Sequence, residues 1–308
     1  MEHSSVSRRE ALATLCGAGI AAALGPLPRQ GTAPVLTRRI PASGERLPIV
    51  GLGTWQTFDT DPATATRGEL ARVLERFVAL GGTVVDSSPM YGQAEGVVGA
   101  LTNHLGVRDR LFLATKVWTE GRARGISQME ESMRRLRVTR LDLMQVHNLV
   151  DVETHLDTLA EWKAAGRVRY VGITHYVASA FPRIERLIES YDLDFIQCNY
   201  SITDRAAEAR LLPAAAERKV AVLVNRPFGG GSLFGRVRGR DLPPWAAEIG
   251  CESWGQFFLK FIIAHPAVTC AIPATSKVAH LEDNMGACRG TLPGEGMRRR
   301  MADFVAAL

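Results

Sequence analysis

Short apolar runs that end in polar or glycine-rich residues recur along most of the chain, and helical patterns separate them. Between the runs, segments such as 67–82, 125–138 and 152–168 carry apolar residues at a helical period. The runs themselves lie at residues 48–55, 83–88, 111–118, 141–148, 169–176, 194–200, 220–228 and 269–277. Continuous apolar strands that alternate with helices predict a parallel sheet covered on both faces.

The spacing of these units indicates how the sheet closes. Polar or glycine residues end the runs at intervals of 25 to 33 residues, with one last interval of 50. They are Gly53, Asp86, Lys116, His147, Thr174, Asn199, Asn225 and Thr275. Eight βα units of near-constant length predict a single α/β domain, a (β/α)8 TIM barrel. A doubly wound open sheet is the alternative fold. Residues 36–51 predict a β-hairpin around Ser43 and Gly44 that closes the bottom of the barrel.

Four polar residues mark the candidate active site, since the carboxyl ends of barrel strands carry the chemistry of this fold. Asp86, Lys116 and His147 end the second, third and fourth strands, and Tyr91 follows the second. A nearby ammonium group favours a phenolate and lowers the pKa of a tyrosine, and a buried lysine needs an anionic partner. A neutral histidine can hold a carbonyl oxygen by a hydrogen bond. The set therefore predicts proton transfer to a carbonyl, with the hydride supplied by a cofactor.

At these residues the chain, from about 36 to 308, resembles the aldo-keto reductase family. The resemblance implies a catalytic tetrad of Asp86, Tyr91, Lys116 and His147, with Tyr91 as general acid and no metal. It implies that NADP(H) lies across the rim of the barrel and reduces an aldehyde or ketone. The motifs that carry it are GLGTW (51–55), VVDSSPMYGQAE (84–95), LATKVW (113–118), DLMQVHN (142–148), YVGIT (170–174), QCNY (197–200), IPATSK (272–277) and LEDNMGA (281–287).

The same resemblance implies the cofactor contacts. Gln197 matches the residue that binds the nicotinamide carboxamide, and residues 228–235 match a loop on the pyrophosphate side. Lys277 and His280 are suitable partners for a 2′-phosphate at a helix N-terminus. The full set of predicted cofactor residues is Gly53, Thr54, Trp55, Thr174, Gln197, Asn225, Phe228, Gly230, Ser276, Lys277, His280, Asp283 and Asn284.

Some positions depart from the family pattern. Thr174 and His175 stand where many members have Ser-Asn, and Asn225 stands where an aromatic residue often stacks on the nicotinamide. Arg226 replaces a small hydroxyl residue. Three apolar residues near strand ends are predicted walls of the substrate pocket and favour small carbonyl substrates. They are Trp55, Met90 and Trp118.

The first 35 residues are predicted to be an export signal and a linker, and residues 36–308 the barrel. Ser7 to Leu12 includes paired arginines and resembles a bacterial twin-arginine signal, followed by a short small-residue run from Ala11 to Leu24. The interpretation implies a periplasmic enzyme with no stable membrane anchor after signal removal, and the twin-arginine machinery as a partner. A disordered basic tail is the alternative, and the protein is then cytoplasmic.

Composition excludes several function classes. The formal net charge is +5, of which +3 falls on residues 1–39, so the remainder has no nucleic-acid footprint. The five cysteines form no CxxC pair. A metal-dependent barrel hydrolase would require an H-x-H at a strand end, and the sequence has none. A non-catalytic, NADPH-binding regulatory or redox-sensing subunit remains the alternative to an enzyme.

Overall fold

The computed structural model describes residues 34–308, and the predicted export signal lies outside the described residues. Within this range ten strands are present, and each lies within one residue of a segment that the sequence pattern predicts. They are β1 (Thr37–Arg39), β2 (Arg46–Pro48), β3 (Leu52–Gly53), β4 (Val84–Asp86), β5 (Phe112–Val117), β6 (Leu141–His147), β7 (Val168–His175), β8 (Phe195–Asn199), β9 (Ala221–Asn225) and β10 (Cys270–Ala271).

Strands β3 to β10 form one parallel sheet in sequential order across the described residues. The sheet curls until its first and last strands meet through the bridges Val50–Ala271 and Gly53–Ala274. The backbone N–H of Gly51 donates to the Ala271 carbonyl at 2.8 Å along this seam. A doubly wound sheet reverses its strand order instead. The prediction of eight parallel βα units curled as in a (β/α)8 barrel is therefore confirmed.

Helices cover the outer face of the sheet. Helix α2 shows why: Val73, Leu74 and Phe77 are buried on one side, while Arg72 and Glu75 stay exposed. The helices of residues 34–308 are α1 (Pro62–Ala65), α2 (Glu69–Ala79), α3 (Ala94–Leu105), α4 (Arg122–Leu136), α5 (Val152–Ala164), α6 (Phe181–Ser190), α7 (Leu211–Glu217), α8 (Ser232–Arg236), α9 (Trp254–Ile263), α10 (Val278–Gly286) and α11 (Glu295–Ala306).

The interior of the sheet is filled by aromatic side chains near the amino ends of the strands. The rings of Phe112, Tyr170 and Phe195 lie with centroids 5.5 to 5.9 Å apart. Ile40 and Leu47, from the β1–β2 hairpin, belong to the same buried cluster. This layer leaves the opposite, carboxyl-terminal end of the strands for polar residues.

Hairpin β1–β2 pairs antiparallel, with Thr37 opposite Pro48 and Arg39 opposite Arg46. The Tyr170 hydroxyl donates to Ser43 Oγ at 2.7 Å, which ties the hairpin turn to a barrel strand. The hairpin therefore packs against the amino ends of the strands, away from the predicted site.

Candidate active site

Exposed apolar side chains mark one end of the barrel. Among residues 34–308, the large hydrophobic side chains that remain exposed have exposed fractions between 41% and 45%. Each of them follows the carboxyl end of a barrel strand. They are Trp55, Met90, Trp118, Tyr176 and Phe234. Since a cluster of uncovered apolar side chains marks a binding surface, this end is the mouth of a candidate pocket. The predicted wall residues lie there, and their contact with substrate stays a prediction.

A buried ion pair lies beneath this mouth. Lys116 Nζ, at the end of β5, is 2.6 Å from Asp86 Oδ2, at the end of β4. The side chains of Lys116 and Asp86 are only 0% and 3% exposed. The ammonium also donates to the Ser87 carbonyl at 2.7 Å. Burial by itself lowers the pKa of Lys116, but Asp86 and Tyr91 outweigh it and the net shift is upward, so the lysine stays charged.

Two glutamines complete the surroundings of the carboxylate. Gln197 Nε2, from β8, donates to Asp86 Oδ1 at 2.9 Å, and Gln145 Nε2, from β6, donates at 3.2 Å. Gln197 Oε1 accepts from the Thr174 hydroxyl at 3.0 Å. Every strand from β4 to β8 therefore contributes to one connected polar network inside the barrel. The network is well satisfied around Asp86, as a buried charge requires.

Tyr91 lies against this pair. Lys116 Nζ is 5.1 Å from the centroid of its ring. Burial raises the pKa of Tyr91, Lys116 opposes the increase and Asp86 adds to it. The net shift is upward. The expectation that Lys116 brings the pKa of Tyr91 below its usual value is therefore wrong: the ammonium lowers this pKa, but desolvation of the phenol raises it more. The phenol is thus protonated at neutral pH.

His147 faces the same space. Its ring is edge-on to that of Tyr91, with centroids 6.0 Å apart. Burial, then the charge of Lys116, lowers the pKa of His147 to about 3, so the imidazole is neutral at physiological pH. The Ser88 hydroxyl lies 3.1 Å from His147 Nδ1 and accepts from the Met90 N–H at 3.4 Å. A Ser88 hydroxyl that donates to Nδ1 corresponds to a ring proton on Nε2, and one that accepts from Nδ1 corresponds to a ring proton on Nδ1.

Sequence reasoning missed Gln145 and Ser88. Gln145 has a signal in the sequence, since it is a polar residue two positions before His147 and shares its side of the strand. Ser88 has a weaker one, because serines after a strand are common in loops. Gln145 is hydrogen-bonded to Asp86 and Ser88 to His147, and both of these partners belong to the predicted tetrad.

Three predicted cofactor residues near the strand ends, together with the strand-end residue Asn199, divide into two groups. Thr54 is fully buried, and its hydroxyl donates to the backbone carbonyl of Asp86 at 3.0 Å. Gly53 adjoins the seam, where an added Cβ would stand 2.7 Å from the Ile272 carbonyl. By contrast, the side-chain oxygens of Asn199 and Asn225 are buried without a hydrogen-bond partner in the described part of the chain. Such acceptors suit a ligand amide.

The glycine-rich loop lies beside these amides. A cavity of about 420 Å³ is lined by residues including Asn199, Arg226 and Ser232. Glycines 229, 230 and 231 all have positive φ, between 60° and 94°, a conformation that glycine adopts readily. The N–H groups of Gly229 and Gly231 donate to the carbonyls of Arg226 and Phe228, at 2.9 and 3.0 Å. Phe228 packs on Phe234 at a centroid distance of 4.9 Å. The two backbone hydrogen bonds hold the loop in a compact turn, with Gly229 lining the cavity, and its contact with a pyrophosphate stays a prediction.

The predicted adenosine end lies at helix α10. Ser276 and Lys277 precede the helix, and His280 is exposed on its first turn. Asp283 instead accepts from Ser253 Oγ at 2.7 Å and from Gln256 Nε2, which ties α10 to α9. Asn284 is buried. Among residues 34–308, no group of three or more His, Cys, Asp or Glu side chains is arranged to hold a metal.

Comparison with known proteins gives consistent matches. The model of the Aldo/keto reductase family matches residues 49–300. The methylglyoxal reductase YeaE of Escherichia coli (strain K12) is 30% identical over 246 residues, which cover 77% of this chain and 84% of that protein. The aldo-keto reductase YhdN of Bacillus subtilis (strain 168) is 29% identical over 203 residues, and the match spans only 60% of its length.

Solved structures agree in fold. An aldo-keto reductase from Klebsiella pneumoniae in complex with NADPH is 26% identical, with a TM-score of 0.73, and the match covers 88% of this chain and 95% of that one. The family model spans most of the chain and includes all four residues of the predicted tetrad. The chain therefore belongs to the aldo/keto reductase family.

Proposed function

We propose that this protein reduces small aldehydes or ketones to alcohols with NADPH as the hydride donor. The observation that carries the proposal is the buried Lys116–Asp86 pair beneath a protonated Tyr91, beside a neutral His147. Family membership supports it, as do the relative named a methylglyoxal reductase and the similar structure in complex with NADPH.

Tyr91 acts as the general acid. Its pKa lies above the usual value, so the phenol carries its proton at neutral pH and can donate it to the carbonyl oxygen. Donation leaves a phenolate, and the charged Lys116 stabilises that anion in a site with little water. Asp86, held by Gln145 and Gln197, keeps the ammonium in place.

His147 orients the substrate. In this proposal the Ser88 hydroxyl donates to Nδ1, so the ring carries its proton on Nε2 and donates it in a hydrogen bond to the carbonyl oxygen. A neutral imidazole directs the carbonyl without competing with Tyr91 for the proton, and its pKa of about 3 keeps it neutral. The exposed Trp55, Met90 and Trp118 supply an apolar mouth for the rest of the substrate.

The proposed NADPH site comprises residues of strands β8 and β9, the glycine-rich loop and the start of helix α10. Asn199 and Asn225 offer unpartnered acceptors, the glycine loop lines the adjoining cavity where the pyrophosphate is proposed to lie, and Lys277 offers a cation at the adenosine end. When bound there, NADPH supplies the hydride that the carbonyl carbon accepts. The remaining predicted contacts, including Gly53, Thr54, Phe228 and Ser276, keep their assignment within this proposal.

The test is NADPH oxidation by the purified protein across small aldehydes, ketones and dicarbonyls. Tyr91→Phe removes the proton donor, and we expect it to reduce kcat by about 10³-fold or more while NADPH affinity changes less than about twofold. Tyr176→Phe is the matched control, since it removes an exposed hydroxyl at the same mouth. Tight NADPH binding without turnover of any carbonyl would instead favour the non-catalytic regulatory subunit.

We also propose that residues 1–35 direct the protein to the periplasm through the twin-arginine pathway. The order of residues 7–12 and the short apolar run after it support this. Replacing Arg8 and Arg9 by lysine should retain the protein in the cytoplasmic fraction of a bacterium that has this pathway. Equal distribution of the two forms would exclude the signal.

The β1–β2 hairpin is proposed to close the bottom of the barrel. Its Ile40 and Leu47 belong to the buried cluster of Phe112, Tyr170 and Phe195, which supports this role. Deleting residues 34–48 should therefore expose that layer and lower the unfolding temperature.

A further inference from the structure

Helices α2 and α10 lie side by side, and the carboxylate of Glu69 on α2 contacts the first residues of α10. Glu69 begins α2. Its Oε2 accepts from Lys277 Nζ at 3.2 Å, and its Oε1 lies 3.4 Å from the N–H of Val278. A second ion pair, Arg76–Glu282, joins the same helices farther along, at 2.6 Å.

Glu69 therefore occupies the groups that would bind a 2′-phosphate. The first-turn amides of a helix have no intrahelical acceptor and favour an anion. Helix α10 receives no side-chain cap from its own N-cap residue Lys277, as far as the described residues show. The cap comes from Glu69 instead, and Lys277, followed by the Val278 amide, lowers the pKa of this glutamate. The Glu69 carboxylate is thus an anion that already binds at the predicted adenosine end of the cofactor site.

We propose that Glu69 is a specificity-determining residue for the nucleotide: it competes with the 2′-phosphate of NADPH for Lys277 and the α10 amides, and so lets NADH bind nearly as well. This inference rests on the proposed function, because it requires a nicotinamide dinucleotide with its adenosine end at α10. It concerns discrimination between the two nucleotides, and the chemistry of the carbonyl is separate from it.

The competition follows from charge. A phosphomonoester carries about −1.5 to −2 charges at pH 7, so it cannot share a cation and a few amides with a carboxylate without repulsion. NADPH must therefore displace Glu69 and break its bond to Lys277. NADH presents a ribose hydroxyl at this position, and a hydroxyl can donate to a carboxylate. The side chains of Glu69 and Lys277 are 35% and 60% exposed, so solvent screens the repulsion and limits its size.

Binding measurements test this without reference to turnover. Dissociation constants of NADPH, NADH, 2′,5′-ADP and ADP are measured by calorimetry on the full chain at one low ionic strength. We expect the wild-type protein to prefer NADPH by less than about tenfold. Glu69→Gln should tighten NADPH and 2′,5′-ADP by about tenfold and leave NADH and ADP within about twofold.

A matched control separates competition from helix packing. Glu282→Gln breaks the neighbouring α2–α10 ion pair, and it should leave all four dissociation constants unchanged. Lys277→Met is the second variant, and it should weaken NADPH and 2′,5′-ADP far more than NADH. The inference is wrong if Glu69→Gln leaves the NADPH:NADH ratio unchanged or if Glu282→Gln shifts it equally. Failure of both dinucleotides to bind would overturn the proposed function with it, whereas binding without turnover would overturn only the catalytic proposal.

Discussion

Removing the lysine of the buried pair provides the strongest test of the site. Lys116→Met removes the ammonium that pairs with the buried Asp86 carboxylate. Among the contacts described, only the amides of Gln145 and Gln197 then still donate to this carboxylate. Breaking a buried ion pair by removing one partner costs about 3–5 kcal/mol, because the remaining charge is uncompensated. We therefore expect the free energy of unfolding to fall by about that amount, and carbonyl reduction to fall with it, since Tyr91 loses its ammonium.

A double variant separates the two effects. Lys116→Met combined with Asp86→Asn removes both charges, and replacing a buried pair by neutral groups is often close to neutral for stability. We expect the double variant to recover most of the lost unfolding free energy but none of the activity. The assays are urea unfolding followed by circular dichroism and NADPH-dependent turnover of the best carbonyl substrate.

Lys260→Met is the matched control for a buried lysine. Lys260 Nζ donates to three backbone carbonyls, those of Ile249, Arg289 and Thr291, at 2.5 to 3.1 Å. Its loss should destabilise the fold while the folded protein keeps its turnover. A double variant no more stable than Lys116→Met alone would refute the ion-pair reasoning, as would equal loss of turnover in Lys260→Met.

The remaining predictions concern pH, the histidine and helix packing. The folded-state pKa of His147 is about 3, below the usual 6.5, so its contribution to stability is complete above pH 6.5 and is lost as pH falls toward 3. Urea titrations should lose about 2 kcal/mol from this group between pH 6.5 and 5, and His147→Asn should remove that slope. Ser88→Ala should lower kcat by about tenfold with less change in KM, because His147 Nδ1 loses its hydrogen-bond partner. Steady-state rates of the wild-type protein and the variant, measured over a range of substrate concentrations, test this. Gly99→Ala should cost about 1–3 kcal/mol in urea unfolding, because its Cβ would stand 2.0 Å from the Arg135 carbonyl, whereas Gly96→Ala on the same helix meets its nearest atom at 3.6 Å.

Much of the fold could be predicted because each βα unit carries its own pattern. Strand β6, for example, was predicted at 141–148 and lies at Leu141–His147. The proximity of the four residues of the predicted tetrad could be predicted for the same reason, since each of them ends or follows a strand. The partners of the tetrad are different: Gln145 is 59 residues from Asp86, and Gln197 is 111 residues away. No local pattern indicates which amide reaches which carboxylate.

The sequence by itself determined the repeated strand and helix units, the parallel sheet and the identity of the polar residues at the strand ends. These follow from hydrophobic periodicity, which is a local property. Only the tertiary structure decided that burial raises the pKa of Tyr91 above what its lysine neighbour would give. It alone brought Glu69 to Lys277, 208 residues along the chain. Desolvation and contacts between distant residues depend on how the sheet curls and how the outer helices pack, and both are properties of the assembled fold.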